Sequence, residues 1–317
     1  MEGLMAQDGV SARTRPAARV AVVIVTYNSA DVLGECLHAL ADEGTPLAAV
    51  VVADNASKDE TCEIAGRFAD LDVTVVQTGR NGGYAAGVNA GIQALDLSVV
   101  DAILVLNADC RVSPNTLQVL ASALNRTNCG IAVPRLRYPN GAQQYTLRRK
   151  PTVIRALVEA LVPGQLAGRL GPLAERVTDP RVYEEPGVTA WATGAAMMLS
   201  VRLLLDIGMW DESFLMYSEE TEYCLRAADN GWYTWYEPAA VFEHVGGVSE
   251  TKPMFASMLT VNKVELFRRR HNRLHGAAYL AAVAVGQGIR AAVGRPTSRA
   301  SIAALLQPSR RMRELPT

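Results

Sequence analysis

Short all-apolar runs alternate, through the first half of the chain, with segments whose apolar residues recur every three or four positions. Val20 to Val25 is β-branched and has no interior polar residue, and from Ala30 onward Val32, Leu33, Cys36, Leu37 and Leu40 share one helical face. The alternation continues with a strand from Ala48 to Ala53, a helix from about Asp59 to Phe68, a strand from Val73 to Gln77 and a helix from Tyr84 to Leu95. A strand from Ala102 to Leu106 and a helix from about Pro114 to Leu124 complete it. Strands without interior polar residues are strands covered by helices on both faces. The pattern therefore predicts an α/β fold, a Rossmann-like, mostly parallel sheet with helices on both faces.

Beyond Ile131 to Val133 the pattern loosens. Residues 135–187 are rich in turn formers, among them Pro139-Asn140-Gly141, Pro163, Gly164, Gly168, Gly171, Pro172, Pro180 and Pro186, and read as a variable, mobile or substrate-facing insertion. Order resumes with Val188 to Leu199, a helix from about Val201 to Ile207, an acidic helix start near Glu219, and apolar segments at Trp232 to Tyr236 and Ala240 to Phe242. Residues 1–19 are polar, without periodicity, and read as a flexible arm. Three parts follow: the arm at 1–19; a domain at 20–247 divided at 134 and 187; and an extension at 248–317.

Composition and charge refine this picture. Hydrophobic residues make up 49% of 317, enough for a sizeable core, and five scattered cysteines without a C-x-x-C pair suit a reduced compartment and buried thiols. The net charge of −1 conceals an asymmetry: from Lys263 onward eleven Lys and Arg face two acids, so the extension is +9 and everything before it −10. The apolar stretch from Ala277 to Val285 is far short of the ~20 residues that span a bilayer. Two readings of the extension stand side by side: docking of Lys263, Arg268, Arg269, Arg270 and Arg273 on an anionic leaflet, or an amphipathic helix packed on the domain with solvated arginines.

The polar residues collect where strands end. In an open α/β sheet those ends border the ligand crevice, which here collects Thr26-Tyr27-Asn28, Asp54, Gln77 and Asn107-Ala108-Asp109. Asp54 offers a carboxylate to the N–H of a nucleotide base, and Ser57 a cap for the next helix. Gly83, Gly87 and Gly91, four apart, line one helix face and allow close approach of a neighbour or of a diphosphate at the helix start, with Arg80 and Asn81 at the mouth. A dinucleotide-binding reading fails on placement, because this loop follows the third strand. Asp109 and His244 suit a hard divalent ion that keeps phosphate and water in its shell. Glu219, Glu220 and Glu222 favour a helix N-terminus and also supply a carboxylate able to deprotonate a hydroxyl. Trp210 and Phe214 suit either a sugar face or a core.

Taken in order, these segments resemble inverting glycosyltransferases of family 2, with the GT-A fold. The resemblance runs through residues 22–28, 52–57, 80–89, 106–109, 193–195, 214–220 and 243–244. It implies transfer of a sugar from a nucleoside diphosphate donor to a hydroxyl, with inversion, in a single displacement. By position, residues 20–134 would be the nucleotide-sugar half and 188–247 the acceptor and catalytic half. Thr26, Tyr27, Asn28 and Asp54 would meet the nucleotide base. Arg80, Asn81 and Gly83 would lie near the ribose and diphosphate, beside Asn107. Asp109 and His244 would hold Mg2+ or Mn2+, Glu220 would be the base with Glu219 or Glu222 as substitutes, and Trp210, Phe214 and Glu222 would meet the acceptor.

Asn107 stands where the family's first metal-motif acid is expected, and Glu220 where the base is usually Asp. The Met-Tyr-x-Glu-acid arrangement with a basic C-terminal stretch looks most like bacterial rhamnosyltransferases that act on polyprenyl-diphosphate sugars in cell-wall and polysaccharide assembly. The expected setting is cytoplasmic, with peripheral contact at the inner face of the cell membrane and a glycan or lipid-linked acceptor. No nucleic-acid partner is expected. A sugar-nucleotide-binding protein without turnover is the alternative; a nucleotidyltransferase would need a glycine-rich basic loop after the first strand, which Thr26 to Ser29 does not supply.

Overall fold

The computed structural model describes residues 17–162, 168–246 and 252–315. Most of the expected flexible arm at 1–19, the Pro163-Gly164 turn and the junction between domain and extension lie outside the described residues. The strands are β1 (Val20–Thr26), β2 (Leu47–Asp54), β3 (Val73–Gln77), β4 (Ala102–Asn107), β5 (Cys110–Val112), β6 (Cys129–Arg137), β7 (Leu147–Arg148), β8 (Gly187–Thr189), β9 (Trp191–Ala192), β10 (Ala196–Ser200) and β11 (Tyr233–His244). The helices are α1 (Ala30–Ala41), α2 (Thr61–Gly66), α3 (Tyr84–Gln93), α4 (Thr116–Ala123), α5 (Val153–Leu161), α6 (Val201–Ile207) and α7 (Glu219–Asp229). The extension adds α8 (Pro253–Arg270), α9 (Arg273–Ala292) and α10 (Pro296–Leu306).

Nine strands form one sheet in the order β3-β2-β1-β4-β10-β6-β11-β5, with β8 also paired to β11. β1 to β4 run parallel, as the apolar runs predict. β10 then enters antiparallel between β4 and β6, a direction that hydrophobicity does not encode. The two apolar segments near 232–242 prove to be one strand, β11, whose register shifts between Glu237 and Val241, around Pro238. Alternate residues of β1 explain the two-sided core. Val20, Val22 and Ile24 pack with Leu33, Leu37, Leu117 and Leu120 of α1 and α4 on one face. Ala21 and Val23 pack with Val88, Ile92, Leu203 and Tyr223 of α3, α6 and α7 on the other.

Gly87 and Gly91 are there for packing. A Cβ on either would fall 2.5 or 2.3 Å from a methyl of Val25 or Val23, so α3 lies directly on β1. The extension is part of the same body: Ala156 of α5 forms a third apolar cluster with Val264, Phe267, Tyr279 and Leu305. Three of its cations are answered by acids: Lys263 pairs with Glu159 and Glu175, Arg269 with Asp211, and Arg270 with Asp229. Packing on the domain is thus the observed arrangement, whereas Arg268 and Arg273 are exposed. Among the described residues, no helix is long and apolar enough to cross a membrane.

Candidate active site

A cleft of about 960 Å3 opens along the ends of β1 and β4. Thr26, Tyr27, Asn28, Asn81, Gly83, Asn107, Asp109, Glu219, Glu220 and His244 all border it, so strand ends far apart in sequence converge as the topology requires. Five expected residues, Trp210, Phe214, Glu222, Arg80 and Asp54, do not border it. Trp210 is 3% exposed and stacks on Tyr223 with ring centres 4.9 Å apart; Phe214 is 1% exposed beneath the Arg269 guanidinium. Both are core aromatics, and Asn89 clamps the Trp210 backbone to α3 at 3.0 Å through both its N–H and its carbonyl. Glu222 points away from the cleft and pairs with Arg226 at 2.9 Å, which makes it neither base nor acceptor contact. Arg80 is exposed beyond the cleft wall.

Asp54 is 1% exposed and fully engaged from within. Its carboxylate accepts from Thr26 Oγ1, Ser57 N and Ser57 Oγ, the first two at 2.9 Å, so it braces the wall from behind rather than facing the cleft. Ser57 therefore ties two loops and does not cap α2. The N–H groups of Ser29 and Ala30 at the start of α1 are taken instead by Thr61 Oγ1 and Asp59 Oδ2, from the loop and helix start after β2. Gly83, at φ +90°, meets protein and not ligand: a Cβ would lie 1.7 Å from the Leu215 carbonyl oxygen, and that carbonyl accepts the Tyr84 N–H.

At the end of β4, Asp109 Oδ1 lies 3.4 Å from His244 Nε2 at the end of β11. Burial disfavours the Asp109 carboxylate, but His244 and the Gly246 N–H, which donates to Oδ2 at 3.1 Å, together hold it below its ordinary range. His244 Nδ1 is 2.9 Å from Gln144 Oε1, and the Gln144 amide nitrogen donates back to the His244 carbonyl. Without an ion, Nε2–H faces the Asp109 carboxylate; to ligate a cation the ring would carry its proton on Nδ1, towards Gln144 Oε1, and offer the Nε2 lone pair. Asp109, Cys110 and His244 lie close enough to share an ion, their ligand atoms within 4.8 Å of one another. The Cys110 thiol does not fit: burial keeps it protonated, and Sγ donates to the Ala195 carbonyl. An ionised carboxylate and an imidazole fit Mg2+ or Mn2+ with its other positions open to phosphate and water.

Opposite, the start of α7 carries two acids under strain. Tyr217 and Ser218 precede it at φ +68° and +79°, a backbone that non-glycine residues rarely adopt. Glu219 is 4% exposed, and burial, then repulsion from Glu220, push its carboxyl well above the usual range. Burial also raises Glu220, against the helix-start N–H groups and Arg148, which favour its charge. Each acid has an enclosed Oε2 without a hydrogen-bond partner. Glu220 is partly exposed and packs on Gly194, where a Cβ would lie 3.2 Å from its own. Tyr84 Oη donates to the Gly194 carbonyl at 2.9 Å and so fixes the turn between β9 and β10 beside the acid.

Sequence reasoning missed one wall altogether. Arg148 and Trp191 from the insertion and its neighbour, and Phe255, Leu259 and Lys263 from α8, line the cleft. Gln144 was missed as well, since its partner lies 100 residues away.

The sequence profile described as Glycosyl transferase family 2 matches residues 21–178. An N-acetylglucosaminyl-diphospho-decaprenol L-rhamnosyltransferase of Mycobacterium tuberculosis is 28% identical over 233 residues, 70% of this chain and 75% of that one. The low-salt glycan biosynthesis hexosyltransferase Agl10 of Haloferax volcanii is 29% identical over 66% of this chain and 61% of its own. Among solved structures, GalNAc-T7 with UDP, GalNAc and Mn2+ superposes with a TM-score of 0.64 at 17% identity, over 92% of this chain and 56% of that one. The mannosyltransferase PcManGT of Pyrobaculum calidifontis, with GDP-Man and Mn2+, gives 0.56 at 19% identity, over 92% and 82%. Both structural likenesses concern the fold, which is GT-A.

Proposed function

The chain belongs to glycosyl transferase family 2 and is a glycosyltransferase, and we propose that it moves a hexose, of the rhamnose type, from a nucleoside diphosphate to a hydroxyl of a diphosphate-linked or other glycan acceptor. The observation that carries this reading is that Glu220 and the Asp109–His244 pair border one cleft. Asn81 and Asn107, with Thr26, Tyr27 and Asn28, border the donor's side. Asp109 and His244 Nε2 would hold the divalent ion, which supplies charge neutralisation for the departing diphosphate. Glu220 takes the proton of the attacking hydroxyl as that oxygen bonds the anomeric carbon and the bond to the diphosphate breaks, inverting the centre. An acid of raised pKa is a stronger base than an exposed glutamate once ionised, which suits a hydroxyl.

The relative's printed name supplies the sugar and the lipid-linked acceptor; the chemistry of the cleft supplies the rest. A polyprenyl-linked acceptor would set the reaction at the inner face of the cell membrane, with the chain as a peripheral partner. The test is thermal denaturation against a panel of nucleoside diphosphate sugars, with and without Mn2+. One donor should raise the midpoint only with the ion, and Asp109→Ala should remove the gain, because a ligand of the folded state stabilises in proportion to its affinity. No gain with any donor would sink the reading.

A further inference from the structure

Beside the cleft lies a second cavity of about 550 Å3, bounded by residues 147–155 and 185–190. Arg148, Arg149, Lys150 and Arg155 line it above an apolar floor of Leu147 and Val177. Arg148 borders both spaces, so cavity and cleft share a wall. The two arginines at its head are placed by backbone pairing. β7 pairs with β9, Arg149 N donates to the Glu175 carbonyl at 2.8 Å, and Trp191 Nε1 donates to the Arg149 carbonyl.

Acids lie within electrostatic range of Arg148, namely Glu175, Glu159 and Glu220, but the guanidinium groups here donate to carbonyls and not to carboxylates. The guanidinium of Arg148 donates to the Tyr145 and Leu147 carbonyls, that of Arg149 to Ala174, and that of Arg155 to Pro172 and Lys150. None of the four cations forms an ion pair among the described residues. Glu159 and Glu175, the acids of the same region, are both bound by Lys263 at 3.0 Å, and Glu185 at the rim is exposed. Burial and then Arg176 disfavour the charged form of Arg148, and burial and then Arg155 do the same to Arg149. Cations gathered without an ion-pair partner around a recess call for an anion with several acceptor oxygens.

We propose that this cavity takes the diphosphate of a lipid-linked acceptor and so turns its sugar towards Glu220. The proposal rests on reading the chain as a transferase whose acceptor is diphosphate-linked. The donor's diphosphate has its own place beside Asp109 and His244, whereas the cavity lies on the side of the base, close enough for Arg148 to favour the Glu220 carboxylate. Outward, α5 exposes Ile154, Leu157 and Leu161 along one face, an apolar strip adjoining Arg155. Sugar, diphosphate and apolar chain then meet the cleft, the recess and the strip in the order in which they are joined.

The experiment is calorimetric titration of the full chain with inorganic pyrophosphate in EDTA, which denies the donor cleft its ion. Wild type and Asp109→Ala should bind alike, and Lys150→Glu and Arg155→Glu should each weaken binding by about tenfold. Lys150 is exposed, so its variant keeps the test sound if loss of the Arg155 contacts disturbs folding. In transfer assays, Lys150→Glu should raise KM for a polyprenyl-diphosphate sugar while kcat, donor KM and KM for an alkyl glycoside without diphosphate stay unchanged. Binding lost in Asp109→Ala but kept in Lys150→Glu and Arg155→Glu would put the anion in the donor cleft and overturn the proposal. Displacement of pyrophosphate by phosphatidylglycerol vesicles, with acceptor KM indifferent to Lys150→Glu, would assign the recess to lipid headgroups and overturn it too. Failure of the transferase reading has a different signature: no donor stabilises the protein with Mn2+, whatever the recess binds.

Discussion

The two walls of the cleft are built on opposite principles. On the donor side, polar groups at the strand ends are answered from within: Asp54 accepts three hydrogen bonds, and Asn55 donates to the Gly83 carbonyl at 3.0 Å. On the acceptor side, Glu219 and Glu220 each keep an enclosed oxygen without a partner, and the arginines of the insertion lean on carbonyls. A wall satisfied before substrate arrives holds a fixed shape; a wall left with charge in hand gains from substrate. The first principle suits a nucleotide common to many reactions, the second an acceptor whose chemistry the enzyme must act on.

The sharpest break of this contrast is Glu220→Gln, which keeps shape and removes the base. Turnover should fall by about 10^2–10^4-fold while the Mn2+-dependent stabilisation by donor persists, since the donor wall is complete without it. Single-turnover transfer and thermal shift read the two effects separately; near-normal turnover would move the base to another group. Next comes Lys263→Ala, which severs α8 from the insertion. Glu159 and Glu175 lose their shared cation, and Glu175, 5% exposed at its side chain and already raised above its ordinary range by burial, loses the charge that favoured its carboxylate. Because Lys263 itself is 26% exposed, the expected loss is about 2–3 kcal/mol, below that of a fully enclosed pair. Urea denaturation measures it.

The same division marks what the sequence made legible. β1 to β4 and their helices were readable within a few residues because a strand covered on both faces has no other way to be written than as an unbroken apolar run. Asp109 and His244 followed from the ends of such runs. The acceptor wall resisted for physical reasons: Trp210 and Phe214 have the same chemistry whether they meet a sugar or a core, and only long-range partners, Asn89 and Tyr223 for the first and Arg269 for the second, decide between them. Gln144 sits in a turn-rich stretch with nothing local to mark it. The apolar residues of α8 that face the cleft, Phe255 and Leu259, differ in no way from those that pack on α10. The direction of β10, which sets where the insertion and Trp191 fall, is a property of the chain path and not of hydrophobic pattern.

A smaller effect probes the donor wall. Thr26→Val keeps the shape of a residue 1% exposed and removes one donor from the buried Asp54 carboxylate. The two Ser57 bonds remain, so the loss should be about 1–2 kcal/mol, read as a lower denaturation midpoint with donor specificity intact. A change in specificity without a loss of stability would mean that Asp54 meets the nucleotide after all.

Glu219→Gln is the subtlest change and runs the other way. Glu219 is held above its ordinary pKa first by burial and then by the charge of Glu220, so folded protein binds its proton more tightly than unfolded chain does. Its contribution to stability is therefore greatest below the unfolded carboxyl pKa and declines as pH rises through the interval up to the folded value. A glutamine cannot ionise and escapes that decline, so at neutral pH the variant should be more stable by about 1–2 kcal/mol, and the gain should vanish in acid. The coupled partner ionises first, while Glu219 still carries its proton, so replacing Glu219 by a neutral glutamine should leave the acid limb of the rate profile, which Glu220 sets, where it is. Denaturation midpoints across pH, set beside the profile of kcat, separate the two roles. Stability gained with turnover and acid limb kept makes Glu219 a neutral neighbour of the base, whereas turnover lost as completely as in Glu220→Gln would make the pair a single catalytic unit.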